Sequence, residues 1–148
     1  MSISLMTNTL NESENLVKLL DNVKSIIDEW IIVDTGSTDG TQELGRSLGA
    51  KVIEFPSLYS IGGYGRMRTI TLQECKCDYG LIVDGDERFL PDALEELKKF
   101  GDSPYYDLIW LPRVNYTDWD MKTWENPPGY FDYQPKFVRV KPTISWIR

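Results

Sequence analysis

Short apolar runs alternating with helix-period segments predict an α/β fold built on a mostly parallel central sheet with helices on both faces. Three observations carry that expectation. The runs Ile3 to Thr7, Trp30 to Val33, Lys51 to Phe55 and Leu81 to Val83 have the length of strands. The segments between them repeat apolar residues with a helical period. Asn11, Asp34 and Asp84 each follow a predicted strand, so they are expected along the carboxyl edge of the sheet, where such folds bind ligands.

The elements follow in order. After the first strand, Asn11 or Ser13 is placed to cap a helix whose apolar positions are Leu16, Leu19, Leu20, Val23, Ile26 and Ile27. Trp30 to Val33 is continuously apolar, as expected of a strand covered on both faces. Asp39 is placed to cap a helix from Gly40 to Leu48, which Gly49 stops. A third strand at Lys51 to Phe55 leads into a Gly-rich loop, Pro56 to Gly65, and a helix from Arg66 to Glu74. Leu81 to Val83 is a fourth strand, and Pro91 opens a helix through Lys99, since proline is tolerated in the first turn. The pattern changes after about Asp102. Leu108 to Val114, Lys136 to Val140 and Thr143 to Ile147 read as strands around a long aromatic loop, Asn115 to Tyr133, which implies a mixed second half. The 148 residues are thus expected to form one domain, with a ligand-binding half at 1–102 and a second half at 103–148.

Composition narrows the function. The chain carries 16 Lys and Arg against 23 Asp and Glu, a net charge of −7 without a basic run, which argues against nucleic acid as a partner. No apolar stretch approaches a membrane span, and no signal-peptide pattern opens the chain. Cys75 and Cys77 are too close for an easy mutual bridge and read as reduced thiols. The expected location is the cytosol, or the inner face of a membrane as a peripheral protein. Histidine is absent, which excludes a histidine base, a histidine metal ligand and a Ser-His-Asp triad within these residues.

Asp84-Gly85-Asp86-Glu87 delivers two carboxylates, one residue apart, onto a turn at the end of a buried strand. Mg²⁺ or Mn²⁺ takes one or two carboxylates and completes its shell with phosphate oxygens and water, so this turn is a candidate diphosphate-metal site. Gly85 allows close backbone approach, and Glu87 is placed to orient the loop or a bound water. The alternative is an acidic turn capping the helix at Pro91. Asp34 is placed to accept from a base N–H or a ribose hydroxyl, with Gly36 making the tight turn behind it. Ser37, Thr38 and Asp39 read as helix-capping residues. In Gly62 to Arg68, Arg66 and Arg68 are candidate phosphate donors, the alternative being solvated arginines.

These segments together resemble the inverting family 2 glycosyltransferases of the GT-A fold, a Rossmann-like αβα sandwich. The resemblance runs from Ile3-Ser4-Leu5 and Asn11-Glu12 through Asp34-Thr35-Gly36-Ser37-Thr38-Asp39-Gly40-Thr41 to Asp84-Gly85-Asp86-Glu87. It is nearest to the bacterial lipopolysaccharide-core glucosyltransferase branch, whose Gly-Tyr-Gly-x-Gln-Arg/Lys-Asn loop is matched by Gly63-Tyr64-Gly65-Arg66-Met67-Arg68-Thr69. Met67 and Thr69 depart from it. Leu111-Pro112-Arg113 and Tyr130 to Arg139 resemble the acceptor-side segment, with Lys136 in place of the usual Arg.

The resemblance implies a metal-dependent transfer of sugar, with inversion, from a nucleoside-diphosphate donor to a glycan or glycolipid hydroxyl in cell-surface polysaccharide synthesis. A UDP-sugar is the donor most often used. It implies donor binding by Thr9, Asn11, Glu12, Asp34, Gly36, Arg68, Asp84 and Gly85, and Mn²⁺ or Mg²⁺ at Asp84 and Asp86. The branch's base lies in a Val-His-Glu segment shortly after the stretch matching Ile144 to Ile147, whereas this sequence stops at Arg148. The expectation is a C-terminally truncated chain, or one lacking the usual base, that binds nucleotide sugar with little transfer. Asp132 and Glu125 are the substitutes within these residues. Trp119, Trp124, Tyr130 and Tyr133 form either a sugar-stacking platform or core. A nucleotidyltransferase-like activity is disfavoured, because no N-terminal Gly-rich phosphate loop followed by Lys is present.

Overall fold

The computed structural model describes residues 1–101, 103, 105–114 and 132–141. Among the described residues, six strands form one sheet: β1 (Ile3–Thr9), β2 (Glu29–Asp34), β3 (Lys51–Glu54), β4 (Tyr79–Ile82), β5 (Leu108–Arg113) and β6 (Asp132–Arg139). Their order is β3-β2-β1-β4-β6-β5. The first four are mutually parallel, and β6 enters antiparallel between β4 and β5. The helices are α1 (Ser13–Val23), α2 (Thr41–Ser47), α3 (Leu58–Ile61), α4 (Tyr64–Glu74) and α5 (Pro91–Gly101).

Strand alternation builds a core on each face of the sheet. Leu5, Ile32, Leu81 and Phe137 meet Leu16, Leu19 and Val23 of α1 and Leu94 and Leu97 of α5. On the other face, Met6, Ile82 and Val138 meet Leu72 of α4, while Val33 meets Ile61 and Met67. The expected αβα layering and mixed second half are both present. β2 is covered on both faces as its apolar run implied, with Trp30 nearly buried and Ile31, Ile32 and Val33 wholly so. The second half is locked on by Tyr79, whose ring stacks on Phe137 at 4.7 Å between centroids. The Tyr79 hydroxyl donates to the Gly101 carbonyl at 2.9 Å.

Several boundaries differ from expectation. The Pro56 to Gly65 loop contains the one-turn helix α3, closed by reciprocal hydrogen bonds between Ser57 and Ser60. The next helix begins at Tyr64 rather than Arg66, so Arg68 lies beyond its first turn and is removed from its positive end. β6 begins at Asp132, inside the expected aromatic loop, because antiparallel pairing with β5 carries it past Pro135. The remainder of that loop and the expected strand at Thr143 to Ile147 lie outside the described residues.

Candidate active site

The carboxyl edge of β1, β2 and β4 brings the expected residues together. Thr9 and Asp34 are register partners at the ends of β1 and β2. The Val83 amide donates to the Met6 carbonyl at 3.0 Å, which continues the β1–β4 pairing up to Asp84.

Asp34 is fully buried and holds its own loop together. Its Oδ1 accepts from the amides of Gly36 (3.1 Å) and Ser37 (2.9 Å) and from Gln42 Nε2 (2.6 Å). Its Oδ2 accepts from Thr9 Oγ1 (2.8 Å) and Ser37 Oγ (2.5 Å). Burial raises the pKa of this carboxyl, but the Ser37, Thr9 and Gln42 hydrogen bonds outweigh it and hold the group below its ordinary range. The expected contact to a base or ribose would therefore have to displace one of these donors. Thr9 is committed in the same way: its hydroxyl goes to Asp34, and its carbonyl accepts from the Thr35 amide. Gly36 has φ +100°, and a Cβ there would lie 2.7 Å from the Pro56 carbonyl oxygen, so the turn requires glycine.

A reciprocal clasp joins the loops after β1 and β2. Asn11, in the left-handed region at φ 57°, accepts from the Thr38 amide at 2.9 Å and donates its own amide to Ser37 Oγ at 2.8 Å. The Glu12 amide donates to Thr41 Oγ1 at 2.9 Å. Asp39 accepts from the first amides of two helices, Ser13 at 3.0 Å and Thr41 at 3.1 Å. The N-cap of α2 is Gly40 and that of α1 is Glu12, neither with a side-chain cap bond, so the expected caps at Asp39 and at Asn11 or Ser13 are displaced: Asp39 holds the first amide of each helix from outside the cap position. Asn11 is instead spent on bridging the loops.

The Asp84-Gly85-Asp86-Glu87 turn stands beside this clasp. Glu12 packs over Gly85, and Arg88 ties the turn to α1 by donating to the carbonyls of Gly85 (2.7 Å) and Asn15 (2.9 Å). The Asp84 amide donates to Glu87 Oε2 at 3.0 Å, and Lys136 pairs with that same oxygen. Burial pushes the Asp84 carboxyl up, and the Glu87 charge adds to it. Lys136 and Arg68 oppose the shift without cancelling it. Asp86 is exposed. Among the described residues, no cluster of three or more acidic or thiol side chains is arranged to hold a metal. The all-oxygen pair Asp84 and Asp86 therefore fits a hard cation such as Mg²⁺ or Mn²⁺ that draws most of its shell from phosphate and water, and does not fit an all-protein cage.

Asp132 does not offer a free base. Its Oδ1 accepts from Gln134 Nε2 at 2.8 Å and its Oδ2 from Arg113 at 2.5 Å. The Gln134 hydrogen bond, with Arg113, lowers its pKa against the effect of burial. A carboxylate so held is a weaker base than an ordinary one. Glu125, Trp119, Trp124 and Tyr130 lie outside the described residues. Sequence reasoning missed Gln42 and Arg88, and gave Thr41 no role at the clasp. The only local signal was their position, in the first turn of α2 and just after the acidic turn.

Comparison with known proteins places this geometry. The profile described as "Glycosyl transferase family 2" matches residues 4–145, and the chain belongs to that family. An uncharacterized glycosyltransferase of Rickettsia bellii is 38% identical over 96 residues, covering 65% of this chain and 31% of the relative. The chain thus spans about a third of the length of that curated relative. Mannosyl-3-phosphoglycerate synthase from Rubrobacter xylanophilus superimposes with a TM-score of 0.60 at 24% identity, covering 73% of this chain and 38% of that one. Glucosyl-3-phosphoglycerate synthase from Mycobacterium tuberculosis, solved with Mn²⁺, UDP and phosphoglyceric acid, gives a TM-score of 0.57 at 22% identity, covering 72% and 41%. At these identities the two structures speak for the fold, which is GT-A.

Proposed function

We propose that this chain is the donor-binding domain of a metal-dependent glycosyltransferase that moves a sugar, with inversion, from a nucleoside-diphosphate donor to a glycan or glycolipid hydroxyl. A UDP-sugar is the donor we favour. The observation that carries the reading is the Asp84-Gly85-Asp86 turn, held at the carboxyl edge of β4 against Glu12 and within the field of Arg68. Family membership across residues 4–145 supports it.

In this reading the clasped loops after β1 and β2 receive the nucleoside, with Asp34 keeping that loop in shape. Asp84 and Asp86 hold Mn²⁺ or Mg²⁺, and Arg68 adds positive charge toward the diphosphate. The bound cation would supply Lewis-acid stabilisation of the departing diphosphate. The acceptor oxygen forms its bond to the anomeric carbon from the side opposite the diphosphate, whose bond to that carbon breaks. The acceptor proton passes to a carboxylate base. Membership of the lipopolysaccharide-core branch belongs to this proposal and rests on the Gly63 to Thr69 loop.

One observation favours a second reading, a nucleotide-sugar-binding module without efficient turnover: Asp132 is engaged by Arg113 and Gln134. Calorimetry with UDP, GDP and ADP, each with and without Mn²⁺, tests the donor reading. Metal-dependent binding that prefers one nucleotide supports it, and no binding of any of them refutes it. Single-turnover transfer from the preferred nucleotide's sugar then separates enzyme from binding module.

A further inference from the structure

We propose that Lys136 is a positioning residue for the Asp84–Asp86 turn, acting through Glu87. The inference rests on the reading of that turn as the diphosphate side of the donor site.

The placement of Lys136 comes from a register shift. Ile109 of β5 faces Phe137, yet the next residue, Trp110, faces Pro135, so Lys136 is the extra residue of a bulge. Bulges re-aim one side chain and locally break the ladder. On its other side β6 pairs with β4 only as far as Phe137, opposite Leu81. The Asp84–Glu87 turn follows directly beyond the end of β4. Into that gap goes the Lys136 side chain, 9% exposed, to pair with Glu87 Oε2. The same Glu87 oxygen accepts the Asp84 amide at 3.0 Å, and Arg113 approaches the other Glu87 oxygen at 3.9 Å.

A buried ion pair is often no more stabilising than apolar side chains of the same volume. What this pair does add is geometry: it fixes the acceptor that holds the Asp84 backbone. The second half of the sheet thereby sets the position of the metal-side carboxylates. The pair joins β6 to the turn after β4 and not to the loop after β2, so its loss is expected to be read on the diphosphate side.

The test has a ligand-free arm and a ligand arm. By amide hydrogen exchange on the free protein, Lys136→Met should exchange the Asp84 amide about tenfold faster, the scale of one charge-assisted hydrogen bond. The Val83 amide, bonded to Met6, should keep its rate. Glu87→Gln, which keeps the shape and removes the charge, should speed Asp84 in the same way if Lys136→Met does not fold. An unchanged Asp84 rate, or equal acceleration of Asp84 and Val83, overturns the proposal. In the ligand arm, Lys136→Met should weaken UDP with Mn²⁺ by about tenfold and leave uridine unchanged, and Lys136→Arg should restore most of the loss. Equal weakening of UDP and uridine overturns it. If the parent chain binds no UDP, the donor-site reading fails, while the amide rates still decide the role of Lys136.

Discussion

The side chain of Glu12 lies across Gly85, so that a Cβ on residue 85 would stand 2.7 Å from Glu12 Cγ and 2.9 Å from its Cδ. The start of α1 and the acidic turn after β4 are therefore packed as one surface. Arg88 reinforces the contact from the other side through the Asn15 and Gly85 carbonyls.

Gly85→Ala should accordingly cost about 1–3 kcal/mol, the usual penalty of overpacking. It should also weaken UDP binding in Mn²⁺, because the turn must move away from Glu12. Urea unfolding and calorimetry check both. Adding Glu12→Ala should recover much of the stability, and no recovery would mean that the clash lies elsewhere.

Asp39 ties two helices with one carboxylate, accepting from Ser13 and Thr41. Asp39 occupies neither N-cap position, but loss of a side chain that holds helix-start amides is comparable to loss of a cap, about 0.5–2 kcal/mol. Asp39→Ala should reach the upper part of that range, and Asp39→Asn should keep part of the loss back. A chemical-denaturation series in which both variants match the parent would contradict the tie between the two helices.

Asp34 makes stability depend on pH. Its folded pKa lies below the ordinary 3.8, so below that value the unfolded chain binds more protons and stability rises with pH. The contribution is complete above the unfolded value and is lost as pH falls through the lower folded one. Asp34→Asn should flatten the unfolding free energy below about pH 4 relative to the parent. Because Asp34 shapes the nucleoside loop, the same variant should weaken UDP and uridine by similar factors. A loss confined to UDP would assign Asp34 to the phosphate side.

The parts of the fold legible in the sequence are those whose signal is local. β1, β2 and β4 announce themselves as apolar runs, and the turn residues after them fall on one sheet edge because parallel strands leave no other arrangement. What the sequence could not show depends on distant partners. The strand expected at Lys136 to Val140 gains its first residues, from Asp132 on, only because β5 lies alongside and a bulge absorbs Lys136. Asp34 looks like an open ligand until Thr9 and Gln42 fill its oxygens from other elements. The partner of Asp132, Arg113, stands 19 residues earlier and meets it only once β5 and β6 pair.

The most direct test of the donor site is UDP affinity at saturating Mn²⁺ for the parent and for Asp86→Asn. Asp86 is exposed, so its replacement should leave the unfolding midpoint unchanged. The metal-dependent part of UDP binding should disappear, leaving the variant in Mn²⁺ with the affinity that the parent shows in chelator. A folded Asp86→Asn protein that binds UDP in Mn²⁺ as tightly as the parent would contradict the account.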